Sequence, residues 1–211
     1  MRRQTFQIRA FCIAATLACG GHLAGAQDAA SETSTAPEVE LDTTEGKIII
    51  ELNPEKAPKT VANFLEYVES GHYEGTVFHR VIPNFMIQCG GMDKNLKEKE
   101  TKPPVRNEAG NGLKNKKYTV AMARTNDPHS ATCQFFISTA DNPFLDRDDA
   151  SGNAGYAVFG RVVKGLDVVD KIGATQTYAR PNPAFPAMLM RDVPVTPIVI
   201  KSVKVLSEQE N

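Results

Sequence analysis

Phe78-His79-Arg80-Val81-Ile82-Pro83-Asn84-Phe85-Met86-Ile87-Gln88-Cys89-Gly90-Gly91 is the stretch from which the chain is best read. Two short apolar runs, 77–82 and 85–88, flank a Pro-Asn pair, and Gly-Gly closes the second. Brief apolar runs punctuated by turn residues are the pattern of short β-strands. Arg80 is the one fixed charge between Phe78 and Gln88.

Working outward, the same punctuation recurs. Residues 118–122, 135–137 and 157–163 are further short apolar runs, separated by Gly, Pro, Asn and Asp. Residues 39–53 predict a β-hairpin turning at Thr44-Glu45-Gly46, with Ile48-Ile49-Ile50 suited to a strand buried on both faces. Pro58 opens the best helical pattern, 58–70: Val61, Phe64, Leu65 and Val68 fall at helical spacing and Gly71 can end it. A shorter helix is expected over 166–172 and a last strand over 197–205. Many short strands with few helices suggest a closed or nearly closed barrel with helical plugs.

The 211 residues, 41% hydrophobic, suffice for one domain with a sizeable core. A formal net charge of −1 provides no polybasic field for nucleic acid or an anionic membrane. Residues 1–26 stand apart. Arg2, Arg3 and Arg9 precede a short apolar run, and Ala24-Gly25-Ala26 reads as a cleavage site, so these residues are expected to be a signal peptide. The style of the segment points to a bacterial periplasm, with no membrane attachment after cleavage. Residues 27–38 read as a flexible linker, 39–206 as the folded domain and 207–211 as a tail. Of four cysteines, Cys12 and Cys19 would leave with the signal. Cys89 and Cys133 would remain in an oxidising compartment, and no Cys/His spacing suggests zinc.

Arg80 beside apolar runs suits a particular chemistry. An X–Pro amide rotates over a barrier of roughly 18–20 kcal/mol because resonance stiffens its C–N bond. In the twisted transition state the resonance is lost and the prolyl nitrogen gains a lone pair. A donor aimed at that lone pair binds the transition state better than the ground state. Arginine stays protonated and needs no metal or other cofactor. Gln88 and Gln134 are candidates to bond the substrate backbone or to hold Arg80, while Phe85, Met86, Phe136 and Leu145 are candidate walls for a proline ring. On strands, Met86 and Gln88 share one face, as do Gln134 and Phe136.

Five pieces of the chain are together similar to the cyclophilin family of peptidyl-prolyl isomerases. They are Phe78-His79-Arg80-Val81-Ile82-Pro83, Phe85-Met86-Ile87-Gln88, Met122-Ala123-Arg124, Gln134-Phe135-Phe136-Ile137 and Val158-Phe159-Gly160. The resemblance implies a mainly β fold, a closed eight-stranded antiparallel barrel capped by two α-helices. It implies Arg80 as the catalytic residue and a proline site lined by Phe85, Met86, Gln88, Gln134, Phe136 and Leu145. Ala123, Arg124 and Thr125 would border the groove for the residues before proline. The implied partners are proline-containing unfolded or exported polypeptides, met by a monomer without cofactor.

The chain departs from the family pattern at several positions. Phe144 stands where many members carry Trp, so cyclosporin-type inhibitors are expected to bind weakly. Tyr156 replaces a His and Arg124 an Asn. Cys89 and Cys133 each neighbour a site glutamine. If Gln88 lies opposite Gln134 in an antiparallel pair, Cys89 faces Cys133 within disulfide range. Two other functions compete: a proline-peptide binding module or periplasmic chaperone that does not isomerise, and a hydrolase pairing Cys89 or Cys133 with His79 or His129. The Asp-rich loop 141–155 lacks calcium-loop spacing and reads as a solvated loop.

Overall fold

A computed structural model describes residues 36–206, so the expected signal peptide, the first part of the linker and the tail lie outside the described residues. The order is β1 (Glu38–Thr43), β2 (Gly46–Leu52), α1 (Pro58–Glu69), β3 (Arg80–Ile82), β4 (Met86–Cys89), β5 (Thr119–Met122), β6 (Phe135–Ser138), β7 (Val158–Lys164), α2 (Leu166–Gly173), β8 (Thr177–Pro181), β9 (Leu189–Pro194) and β10 (Ile200–Leu206). Short 3-10 turns cover Ala109–Asn111 and Pro143–Leu145.

Eight strands form one curled antiparallel sheet in the order β10-β1-β2-β7-β5-β6-β4-β3. It is open, which corrects the expected closed barrel. Curling brings the residues before β3 to the start of β10, where Val77 and Val199 make an isolated bridge and the Phe78 N–H donates to the Ile198 carbonyl at 3.0 Å. No ladder follows, because β3 is three residues long and ends at the Pro83-Asn84 turn. Instead β9 packs beside β3, from a hairpin with β8 that forms a separate two-stranded sheet. The sequence pattern did not suggest that hairpin.

The inner face of the sheet and both helices enclose the main core. Val39, Leu41, Ile48, Ile50, Ile87, Val120, Phe135 and Ile137 are fully buried there with Phe64 of α1 and Val169 and Ile172 of α2. Phe64 anchors an aromatic cluster, its ring 5.2–5.4 Å from Tyr73, Phe135 and Phe159. Strand β2 is buried on one face rather than two. Ile48 and Ile50 enter the core, whereas Ile49 points with Lys47 and Glu51 to the other side and is half-buried.

Helix α1 starts with Pro58, whose missing N–H costs nothing in a first turn. Ala57 offers no side-chain cap, so the cap arrives from 48 residues away. The Glu108 carboxylate accepts the Thr60 N–H and hydroxyl, both at 2.8 Å, and the Lys59 N–H at 3.2 Å. A carboxylate is also the charge that a helix N-terminus favours. At the other end Gly71 takes a left-handed φ of 67°. The Gly71 N–H reaches the Val68 carbonyl and the His72 N–H the Tyr67 carbonyl, each at 3.0 Å, the paired bonds of a Schellman ending.

Candidate active site

The site is a consequence of register. Arg80 lies opposite Gln88 in β3–β4, Gln88 opposite Phe136 in β4–β6, Phe136 opposite Ala121 in β6–β5, and Ala121 opposite Val158 in β5–β7. Opposed residues point to the same face, so five strands place one row of side chains across the outer face of the sheet. Met86, two residues before Gln88, shares that face.

An apolar cluster occupies the row. Met86, Ala121, Phe136, Leu145 and Val158 are buried, with Ile82, Phe85, Leu113, Ala123 and Tyr156 half-buried around them. Leu113, absent from the sequence-based site, joins because residues 113–115 cross this face. The buried Asn142 donates its side-chain N–H to the Phe85 carbonyl at 2.9 Å and ties the Phe85 loop to the turn carrying Leu145. Phe144, on that turn, is 63% exposed and tilts over Phe85 with ring centroids 5.4 Å apart. Tyr156 meets Phe136 edge-on at 5.8 Å. The cluster is thus an apolar floor with an exposed aromatic rim on one side and polar groups on the other.

Gln88 and Gln134 supply the polar edge. The Gln88 Nε2 donates to the Gln134 Oε1 at 2.8 Å. Gln134 precedes β6, and its backbone carbonyl accepts the Ala123 N–H at 2.9 Å. Its side chain lies on Gly91: a Cβ there would sit 2.4 Å from the Gln134 Cγ. Gly91 is therefore a site residue, signalled in the sequence only as half of a Gly-Gly pair. Gln88, Ala123, Arg124, Thr125, Ser130, Thr132 and Gln134 line an adjoining hollow of about 170 Å³. Arg124 spreads over the Tyr156 ring at 4.4 Å and donates to the Gly155 carbonyl at 3.1 Å, so its charge is held at the rim. Thr125 and Ser130 hydroxyls are 2.8 Å apart.

Arg80 finds its polar neighbour elsewhere than the two glutamines. Its Nε lies 3.8 Å from the Asp192 Oδ2, on β9. Sequence reasoning passed over Asp192, because 112 positions separate it from Arg80 and only the docked hairpin joins them. The preceding residue, His79, is buried. Burial pushes its imidazole down to about 4, opposed by the Val77 carbonyl and reinforced by the Arg80 charge, so it is neutral at pH 7.

Both cysteines point away from this face. The register pairs Gln88 with Phe136, so Cys89 lies opposite Phe135 and not Cys133. Cys89 and Cys133 are free thiols buried in the main core, which corrects the expected disulfide. Burial pushes both thiols up, away from the thiolate a nucleophile needs. His129 lies at the surface with its Nδ1 accepting the Asn107 N–H at 3.2 Å, and among the described residues no hydrogen bond joins Cys89 or Cys133 to His79 or His129. Three of the four aspartates of loop 141–155 cap backbone: Asp141 accepts the Lys117 N–H, Asp146 the Asn115 N–H and Asp148 the Ala150 N–H, while Asp149 accepts from the Arg147 Nε.

A curled antiparallel sheet with two helical plugs and an arginine beside an apolar cleft defines a class, and comparison with known proteins agrees. Residues 38–205 match the family described as cyclophilin type peptidyl-prolyl cis-trans isomerase/CLD, so the chain belongs to that family of enzymes. A peptidyl-prolyl cis-trans isomerase, cyp18, of Streptomyces antibioticus is 56% identical over 169 residues, covering 80% of this chain and 98% of the relative. Peptidyl-prolyl cis-trans isomerase B of Escherichia coli is 49% identical over 168 residues, covering 79% and 98%. Among solved structures, a cyclophilin type isomerase of Cryptosporidium parvum superposes with a TM-score of 0.65 at 23% identity, over 82% of this chain and 99% of that one. The same protein has been crystallised in the presence of the dipeptide Ala-Pro.

Proposed function

We propose that this chain isomerises X–Pro bonds in exported proteins, with Arg80 as the donor to the twisted prolyl nitrogen. The observation that carries the reading is the register row, which sets Arg80 and Gln88 at the edge of the cluster around Phe136 and Met86. A proline ring seats on that floor, with Leu145 and Phe85 as walls. The Gln88–Gln134 pair faces the peptide backbone, and Ala123, Arg124 and Thr125 border the residues before proline.

The reaction transfers no atom. As the amide twists, the prolyl nitrogen becomes pyramidal and its lone pair turns toward the guanidinium. The hydrogen bond formed there is absent in the planar ground state, so it lowers the barrier rather than only tightening binding. The apolar floor keeps water off the ring and strengthens that bond. Lowering the barrier by about 7 kcal/mol corresponds to roughly a 10⁵-fold acceleration. Every proton stays where it started, so neither a base nor a cofactor is required.

The periplasm is proposed as the site of action on the order of charge, apolar run and small-residue motif in residues 1–26. N-terminal sequencing of the protein recovered from a periplasmic extract tests it, with Gln27 as the expected first residue. The chain is proposed to act as a monomer and, with Phe144 in place of an indole, to bind cyclosporin-type inhibitors weakly.

Isomerase activity on an X–Pro tetrapeptide, with Arg80→Ala and Arg80→Lys beside the wild type, tests the mechanism. Both variants are expected to fold and to lose on the order of 10²–10³ in kcat/KM, the size of one lost transition-state donor. Wild-type turnover in either would overturn the role of Arg80. A folded wild type that binds proline peptides without turnover would be a binding module instead.

A further inference from the structure

The β8–β9 hairpin carries apolar side chains that no core uses. Phe185, Met188 and Leu189 at its tip are 64%, 62% and 61% exposed. They are displayed by a built loop. The Asn182 Oδ1 accepts the N–H groups of Ala184 and Phe185 at 2.8 and 3.1 Å. The Asn182 N–H donates to the Met188 carbonyl, and the Met188 N–H to the Phe185 carbonyl, both at 2.8 Å. Pro183 and Pro186 fix φ at two more positions of the tip. Burying such side chains is favourable, so holding three of them in water calls for a reason.

The base of the hairpin is docked. Met190 and Val193 pack with Val77, Met92 and Leu96, and Asp192 contacts Arg80. Leu189 is three residues from Asp192 on β9, at most about 10 Å away by chain length. Leu189, at the tip, is therefore on the same strand as the Arg80 contact, on the Arg80 side of the active site. The three side chains present on the order of 300–400 Å², the size of a functional patch on a monomer. A stable dimer needs about 800 Å² from each partner.

We propose that the hairpin tip is a second contact site for the unfolded polypeptide whose proline occupies the Arg80 site. It would hold an apolar stretch a few residues from that proline. The proposal rests on the isomerase reading of Arg80 for its substrate. Phe, Met and Leu impose no hydrogen-bond pattern, which suits clients of varied sequence. A chain engaged at the tip presents its proline to the cleft at raised local concentration. Peptides too short to span both places gain nothing from the tip.

The test compares the full chain with Phe185→Ser/Met188→Ser/Leu189→Ser and with the single variant Phe185→Ser, in case the triple change disturbs the hairpin. Each is assayed on an X–Pro tetrapeptide and on a protein whose refolding is limited by a prolyl step. The expected result is unchanged tetrapeptide kcat/KM and a severalfold fall on the refolding protein. Equal refolding rates in wild type and both variants would overturn the proposal. So would a parallel loss on the tetrapeptide, which would place the effect in the cleft. A wild-type dimer that the variants convert to monomer in sedimentation would make a second copy the occupant. A wild type without tetrapeptide turnover would defeat the isomerase reading alone. Anisotropy with a labelled, permanently unfolded protein then decides: weaker binding by the variants supports the tip, and equal binding overturns it.

Discussion

Asp192 holds its Oδ2 3.8 Å from the Nε of Arg80 while its own backbone is left-handed, at φ 61°. The pair is 44% and 39% exposed, so water screens it and its charge stabilises the fold by at most about 1 kcal/mol. The backbone conformation matters more. Asn and Gly tolerate it, whereas a β-branched residue does not. Asp192→Gly and Asp192→Asn are expected to melt near the wild type, and Asp192→Val to lose about 1–2 kcal/mol. Thermal unfolding of the three checks the order; a Val variant as stable as the Gly variant would contradict it.

Gly91→Ala is expected to leave a folded protein with a damaged site. The new Cβ would occupy the place of the Gln134 side chain, which must swing away and break its bond to Gln88. A displacement of that kind costs roughly 10- to 100-fold in kcat/KM. Kinetics together with a melting curve separate this outcome from simple unfolding.

Glu108→Ala removes the carboxylate that caps α1 and leaves the site face untouched. The Thr60 N–H and hydroxyl lose their partner at the edge of the core. A loss of about 1–2 kcal/mol is expected, at the upper range for a helix cap, with tetrapeptide turnover unchanged. Urea unfolding measures the first and the isomerase assay the second.

His79 makes stability depend on pH. Its folded value of about 4 lies below the ordinary 6.5, chiefly because it is buried. As pH falls below about 6.5 the unfolded chain takes up a proton that the folded chain refuses, so stability declines. The contribution is complete above about 6.5 and gone near 4, in total roughly 3 kcal/mol. Urea unfolding at pH 7, 5.5 and 4.5 is expected to show this decline in the wild type and a shallower one in His79→Gln. Equal slopes would remove His79 from the account.

Much of this protein was legible along the chain. Spacing alone located α1, because Val61, Phe64 and Val68 recur with helical period and Pro58 and Gly71 mark its ends. Alternation put Met86 and Gln88 on one face of a short strand. Each of these is a local matter, decided by the backbone geometry of a few successive residues.

What tertiary structure decided is which local pieces meet. Alternation says which face a residue takes, not which partner it faces, so the slide from Gln134 to Phe136 opposite Gln88 was invisible, and with it the separation of the cysteines. An open or closed sheet depends on whether its two end strands can form a ladder, and here the short β3 meets β9 instead. The Glu108 cap and the Asp192 neighbour of Arg80 are contacts across 48 and 112 positions. Their geometry exists only after the chain has curled, because no local preference carries information about groups so far apart. The sequence by itself determined the parts of the site and their chemistry; folding alone determined their distances.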